Sequence, residues 1–232
     1  MAWFRHAPAN GRGCPLRLAN RLLAPLPAEV PRTLRILCRS SEAPVRRACG
    51  KLPAMTELGP VSWPPAPIRT ERLVLREPEA RDRAAFIELL ASPEVGTYLG
   101  GPRPRDKLER EMPGTPGTPE RPPGLFTVDL DGAMIGQVIL KRATGHGAGK
   151  AELGYLFLPE AWGFGYAAEA CAAALGWLDD TLPGEPVVLK TQTTNARSMR
   201  LATKLGFTEV ERFEAWDAEQ WFGMRSPVTP SD

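Results

Sequence analysis

The chain has 232 residues, of which 43% are hydrophobic, 24% charged and 7% aromatic, the composition of one globular domain or at most two. These proportions exclude a coiled coil, a collagen-like chain and a fully disordered protein, and no run of 18 apolar residues exists to make a membrane-spanning helix. Charge divides the chain: residues 1–54 hold 10 Lys+Arg against 2 Asp+Glu, a balance of +8, whereas residues 55–232 hold 19 against 25, a balance of −6, which argues against nucleic-acid binding by the body.

Residues 1–54 contain Cys14, Cys38, Cys49, seven prolines and scattered arginines, with no sustained period of 2 or 3.6, and are expected to be unstructured. Pro25 breaks the best apolar stretch, Leu22 to Leu26, so a secretory signal is not expected. An organellar transit peptide, a basic arm for anionic surfaces, and upstream sequence translated from a wrong start with Met55 as the initiator all remain open. The cysteines lack close pairing, and Cys171 stands alone on an apolar helical face, so a reducing cytoplasm is the expected compartment. With His6 and His146 the only histidines, neither a zinc site nor a serine-hydrolase triad assembles, and no metal is expected.

The folded body, taken as residues 55–232, alternates its elements closely. A strand at 73–75 leads to a helix over 80–91 with Phe86, Leu89 and Leu90 on one face, closed by Ser92-Pro93. A shorter helix at 105–112 runs into a Pro/Gly-rich surface loop, 113–124, placed to act as a lid. Strands at 125–130 and 133–140 are joined by Asp131-Gly132, a dipeptide suited to a two-residue hairpin turn. The stretch 151–158 is apolar on both faces and reads as a central strand. Ala167, Cys171, Ala174, Leu175, Leu178 and Leu182 then mark one face of a helix whose opposite face carries Glu169, Asp179 and Asp180. A strand at 187–193, a helix over 195–205 stopped by Gly206, and strands at 207–215 and 219–225 complete a β-α-α-β-β-β-α-β-α-β-β order, a mixed α/β (α+β) sheet with helices on its faces.

The chemistry concentrates in residues 159–170. Gly163 and Gly165 follow a strand and precede a helix, where a tight turn aims successive N–H groups at one point and forms a diphosphate cradle. Glycines also serve such turns for steric reasons alone, and neither a P-loop nor a complete G-x-G-x-x-G is present. The second element is Asn195-Ala196-Arg197-Ser198, followed by Leu205-Gly206-Phe207. Together with the opening Ile68-Arg69-Thr70-Glu71-Arg72-Leu73-Val74-Leu75-Arg76, the Glu152-Leu153-Gly154-Tyr155 strand and the Trp162-Gly163-Phe164-Gly165-Tyr166-Ala167 turn, this pattern resembles the GCN5-related N-acetyltransferases (GNAT), in particular the branch of ribosomal-protein and aminoglycoside acetyltransferases. The likeness runs from Ile68 to Arg225.

The resemblance implies an acetyl-CoA-dependent N-acetyltransferase acting on a primary amine of a small molecule, aminoglycoside-like or other, or on a protein N-terminus. It places the donor's diphosphate on the turn of Trp162, Gly163, Phe164, Gly165, Tyr166 and Ala167, although Glu160 departs from the usual Gln or Arg that opens that motif. It places the pantetheine arm beside Leu156, Phe157 and Leu158 with Asn195 and Ser198 in contact. The family's usual tyrosine seven residues after the asparagine is replaced by Ala202; the likeness to relatives that acetylate ribosomal proteins, which use the serine of N-x-x-S, implies Ser198 as the candidate proton donor to the departing thiolate, with a helix cap or packing near the helix start as its alternative role. Asp217 and Glu152 are the candidate bases, with bulk water as the alternative. Trp162, Trp216, Trp221, Phe213 and Phe222 belong either to the acceptor pocket or to the core. A non-catalytic acyl-CoA-binding sensor is the competing function, and the sequence leaves monomer and homodimer open.

Overall fold

The computed structural model describes Leu58, Val61, Trp63 and residues 65–117 and 124–227. The basic extension with its three cysteines lies outside the described residues, as do residues 118–123 of the expected lid. Strands β1 (Ile68–Arg69), β2 (Val74–Arg76), β3 (Leu125–Leu130), β4 (Ala133–Arg142), β5 (Ala151–Phe157), β6 (Val187–Gln192), β7 (Thr208–Ala215) and β8 (Ala218–Arg225) form one sheet in the order β1-β2-β3-β4-β5-β6-β8-β7. The helices are α1 (Arg83–Ala91), α2 (Pro93–Gly96), α3 (Arg105–Glu111), α4 (Tyr166–Thr181) and α5 (Ala196–Lys204). The expected mixed sheet with helices on its faces is therefore present, with three refinements: the first strand is a small β1–β2 hairpin, the helix expected over 80–91 begins as a 3-10 turn at Ala80–Asp82, and the Ser92-Pro93 stop opens the short helix α2.

Every neighbouring pair of strands is antiparallel except β5 and β6. Asp131 and Gly132 both have positive φ (52° and 87°), the conformation that a two-residue hairpin with matching twist requires. Central β5 buries side chains on both faces. Leu153 and Phe157 pack with Cys171, Ala174, Leu175 and Leu178 of α4, whereas Leu156 packs with Phe86, Leu89, Val95 and Met134 on the opposite face. Leu58 joins the α4 side, with Trp63 packed against it, so the core extends upstream of Ile68. The Cys171 thiol is fully buried and its pKa is pushed up by loss of water, the behaviour of a small apolar core residue. Among the described residues no helix is long and apolar enough to cross a membrane.

One ionic cluster fixes β2 against β3 and α1. Arg76 donates to both carboxylate oxygens of Asp82, at 2.7 and 2.9 Å, and to Asp129 Oδ2 at 2.7 Å, while Asp129 Oδ1 accepts the Gly132 amide at 2.7 Å and so holds the β3–β4 turn. Burial alone would raise the Asp82 pKa, but Arg76 and the Glu79 amide outweigh it and hold the carboxyl below its usual range. A depressed folded-state pKa contributes stability that is fully present above the unfolded value and is lost as pH falls through the folded value. Stability should accordingly fall on acidification below about pH 4, and less steeply in Asp82→Asn. At neutral pH, Arg76→Ala removes the main counter-charge of two buried carboxylates, leaving Arg81 at 3.8 Å from Asp129, and should cost about 3–5 kcal/mol, read by urea denaturation.

Candidate active site

Beyond Ala151↔Val187 and Glu152↔Val188, β5 and β6 have no ladder pairs, although β5 continues to Phe157 and β6 to Gln192. The strands part, and a cavity of about 790 Å³ opens at the wedge. Its walls come from the end of β5 (Tyr155, Leu156, Phe157), the turn into α4 (Trp162, Gly163, Gly165) and the start of α5 (Asn195, Arg197, Ser198), with Glu94, Thr97 and Tyr98 from the α2 region at another side. Gln192 Nε2 donates to the Tyr98 carbonyl at 3.3 Å, tying that wall to the end of β6.

The turn is built by its glycines. Gly163 and Gly165 have φ of 90° and 81°, and a Cβ would meet nothing within 4 Å at Gly163 and only an arginine nitrogen at 3.7 Å at Gly165. Backbone conformation, rather than crowding within the protein, demands glycine here, and the space in front of the turn stays open. Trp162 folds back so that its indole N–H donates to the Phe157 carbonyl at 2.9 Å, pinning the turn to the end of β5. Arg197 and Arg200, one turn of α5 apart, share a side crevice with Trp162 and Gly163, and the Arg197 guanidinium lies 5.5 Å from the Trp162 ring centroid. Glu160 is exposed and does not line the cavity, so its departure from the usual motif puts no carboxylate in the wall.

Helix α5 begins with Asn195 as its cap: its Oδ1 accepts the Ser198 amide at 3.2 Å. The capping side chain is therefore Asn195, and the buried Ser198 hydroxyl points elsewhere, to the Tyr155 phenol at 2.7 Å. Burial raises the Tyr155 pKa strongly, so the phenol stays protonated through the neutral range. Ala202, one turn further on, is buried in the core.

Of the residues singled out from sequence, the cavity collects Leu156, Phe157, Trp162, Gly163, Gly165, Tyr166, Ala167, Asn195 and Ser198. Leu158 and Phe164 belong to the same backbone path but do not line the cavity, and the Phe164 side chain is 61% exposed. The two candidate bases also lie off its walls. Glu152 is 1% exposed, with Lys190 Nζ at 3.4 Å and Lys141 Nζ at 3.9 Å; Asp217 is exposed at the β7–β8 turn, where it and Trp216 both adopt positive φ. Of the five aromatic residues, Trp162 lines the cavity, Trp221 and Phe222 are buried in core clusters, and Phe213 stacks on His146 with centroids 3.7 Å apart. Sequence reasoning missed Tyr155, Arg197, Arg200 and Glu94. The i, i+3 arginines of α5 were a readable signal, whereas the Tyr155–Ser198 contact joins residues 43 apart. Among the described residues no group of His, Cys, Asp and Glu side chains could hold a metal.

Residues 72–208 match the family model described as an acetyltransferase (GNAT) domain, more than half of the chain. The chain belongs to the GNAT family. It is an N-acetyltransferase by that membership, and its fold is that of solved relatives. An acetyltransferase from Agrobacterium tumefaciens is 26% identical, with TM-score 0.55 over 71% of this chain and 96% of that one. The aminoglycoside acetyltransferase AAC(6′)-Ib, solved with coenzyme A, is 17% identical, with TM-score 0.53 over 66% of this chain and 94% of that one. The ribosomal L7/L12 α-N-protein acetyltransferase RimL is 14% identical, with TM-score 0.54 over 69% of this chain and 94% of that one.

Because the GNAT turn requires positive φ without requiring space, Gly163→Ala should destabilise the fold by about 1–2 kcal/mol through backbone strain alone, seen as a lowered thermal midpoint. The size of that loss separates conformational demand from packing.

Proposed function

We propose that the protein transfers the acetyl group of acetyl-CoA directly to the primary amine of a cationic acceptor. The wedge between β5 and β6, continuous with the glycine turn before α4, is the observation that carries this reading. An extended chain that enters between two parted strands meets backbone donors and acceptors that the ladder no longer uses. In this reading the pantetheine arm lies along Leu156, Phe157 and Leu158 opposite Asn195, and the diphosphate meets the amides from Gly163 to Ala167. Arg197 and Arg200 add positive charge at that end.

Transfer forms a bond from the acceptor nitrogen to the thioester carbonyl carbon and breaks the carbon–sulfur bond. Backbone N–H groups of the parted strand stabilise the oxyanion. Ser198 gives its proton to the departing sulfur while its oxygen accepts the Tyr155 hydroxyl at 2.7 Å; Tyr155, kept protonated by burial, steadies the serine oxygen, and solvent, which takes up the amine's proton, returns one to Ser198. The amine's proton leaves through water, since Glu152 and Asp217 stand off the wall. Glu94 is the one carboxylate among the described residues lining the cavity. Its own backbone amide and the Ser92 hydroxyl, at 2.8 Å, hold its pKa low, so it acts as a fixed negative charge that attracts an ammonium group.

The test is thiol release from acetyl-CoA against a panel of polyamines, aminoglycosides, amino acids and N-terminal peptides. Release that depends on a cationic amine supports the proposal; tight coenzyme A binding without release favours an acyl-CoA sensor. With a productive acceptor, Ser198→Ala should lower kcat by about 10²-fold and leave the KM for acetyl-CoA nearly unchanged, whereas unaltered kcat removes Ser198 from the mechanism. Glu94→Gln keeps an acceptor for Ser92 but deletes the charge. It should raise the acceptor KM about tenfold at low salt and much less at 1 M salt, where the Debye length is about 3 Å.

A further inference from the structure

The Thr70-Glu71-Arg72 segment, part of the sequence likeness, lies outside the cavity walls. It forms the turn between β1 and β2, and it meets the first turn of α4 through one carboxylate. Glu169 Oε1 accepts the Thr70 hydroxyl at 2.5 Å and the Arg72 amide at 3.0 Å, and Oε2 accepts Arg72 Nε at 2.8 Å with a terminal guanidinium nitrogen at 2.6 Å. The other terminal nitrogen of Arg72 donates to the Phe164 carbonyl at 3.0 Å, and the guanidinium lies 4.6 Å from the Tyr166 ring centroid. Arg72 is thus bound at once to the peptide between the two turn residues Phe164 and Gly165 and to the helix that follows, yet it does not line the cavity.

Two consequences follow from elementary geometry and charge. In a planar trans peptide the C=O and the N–H point in opposite directions. Fixing the Phe164 oxygen on the guanidinium therefore turns the Gly165 N–H the other way, away from Arg72. Glycine at φ 81° has little barrier of its own against the peptide turning over, and a reversed peptide would present a carbonyl oxygen to an anion. Glu169 would also place negative charge at the start of α4, where an anionic ligand is otherwise favoured, and the guanidinium neutralises it.

We propose that Arg72 is a positioning residue for the donor's diphosphate: by holding the Phe164 carbonyl outward and neutralising Glu169, it keeps the Gly163–Gly165 turn in its anion-binding form. The proposal rests on the reading of that turn as the diphosphate site. Arg72 touches no ligand itself, so its effect depends on whether the ligand carries the diphosphate.

The experiment compares coenzyme A, titrated calorimetrically, with pantetheine, which lacks the diphosphate and is read at millimolar concentration by saturation-transfer NMR. Wild type, Arg72→Ala and Arg72→Lys are each examined, with thermal unfolding in parallel. Lysine keeps the charge but cannot fork between Glu169 and Phe164. The Kd for coenzyme A should rise at least tenfold in Arg72→Ala and by an intermediate factor in Arg72→Lys, with pantetheine affinity unchanged within twofold. Coenzyme A affinity within twofold of wild type in both variants overturns the proposal, as does parallel weakening of both ligands, the signature of a merely structural role. If Arg72→Ala does not fold, the Lys variant decides on the same criteria. Wild-type protein that binds no coenzyme A overturns the diphosphate reading itself, and the role of Arg72 with it.

Discussion

Parallel strands joined at one end and free at the other make a wedge whose inner edges carry unused backbone hydrogen-bonding groups, and the arrangement of this protein follows from that constraint. The β5–β6 pair is the one parallel pair among the described residues, so a crossover must return the chain to the same edge, and α4 supplies it. The crossover starts at the carboxyl end of β5, which puts the N-terminus of α4 at the mouth of the wedge. In open α/β sheets this is where ligands bind, outside the carboxyl ends of the strands. Helix α5 leaves the carboxyl end of β6 in the same way, so Asn195 and Ser198 face the β5 residues across the gap. One local departure from ladder pairing thus gathers the site from segments far apart in the chain.

The strand that opens the likeness serves both the fold and the site. Arg76 and Arg72 lie four residues apart, and their surroundings give them separate tasks. Arg76, with its side chain 9% exposed between Asp82 and Asp129, ties β2 to β3, to the start of α1 and to the hairpin turn. Arg72, on the turn before β2, reaches across to α4 and to the Phe164 carbonyl. A buried ion pair of the first kind is costly to break, because removing one partner leaves a charge without solvent. An exposed pair of the second kind adds little to stability. Its worth lies in geometry, since a guanidinium presents donors in a fixed fork and can orient two groups together.

Local pattern revealed the elements, because side-chain period and turn chemistry are properties of neighbouring residues. The Asp131-Gly132 hairpin, the doubly apolar β5 and the apolar face of α4 through Ala167, Cys171, Ala174, Leu175, Leu178 and Leu182 all stood in the sequence. The helix's other face shows the limit of such reading. Glu169 and Asp179 occupy positions that suit a solvated surface, yet Glu169 anchors Arg72 and Asp179 pairs with Arg225 at 2.6 Å. Charges that find partners 97 and 46 residues away leave no periodic trace. The proposed proton donor shows the same limit. Replacement of the usual tyrosine by Ala202 was visible in the sequence, but the Tyr155 phenol beside Ser198 comes from a different strand and appears only when β5 and α5 are brought together.

The cavity wall is electrically uneven, with Arg197 and Arg200 beside the glycine turn and Glu94 on the α2 side. A crevice with low-dielectric walls concentrates the field of such charges, so the two reactants of the proposed reaction are sorted by sign before they meet. The polyanionic donor is drawn toward the arginines and the cationic acceptor toward Glu94. Acetylation then removes a positive charge, because an amide nitrogen is not protonated where its parent amine was. The product therefore loses part of its attraction to Glu94 at the step that forms it, whereas the next acceptor still carries the full charge. A single fixed carboxylate in this position would favour exchange of product for substrate without any movement of the protein, and Glu94, held ionised by its own amide and Ser92, has the constancy of charge that such sorting needs.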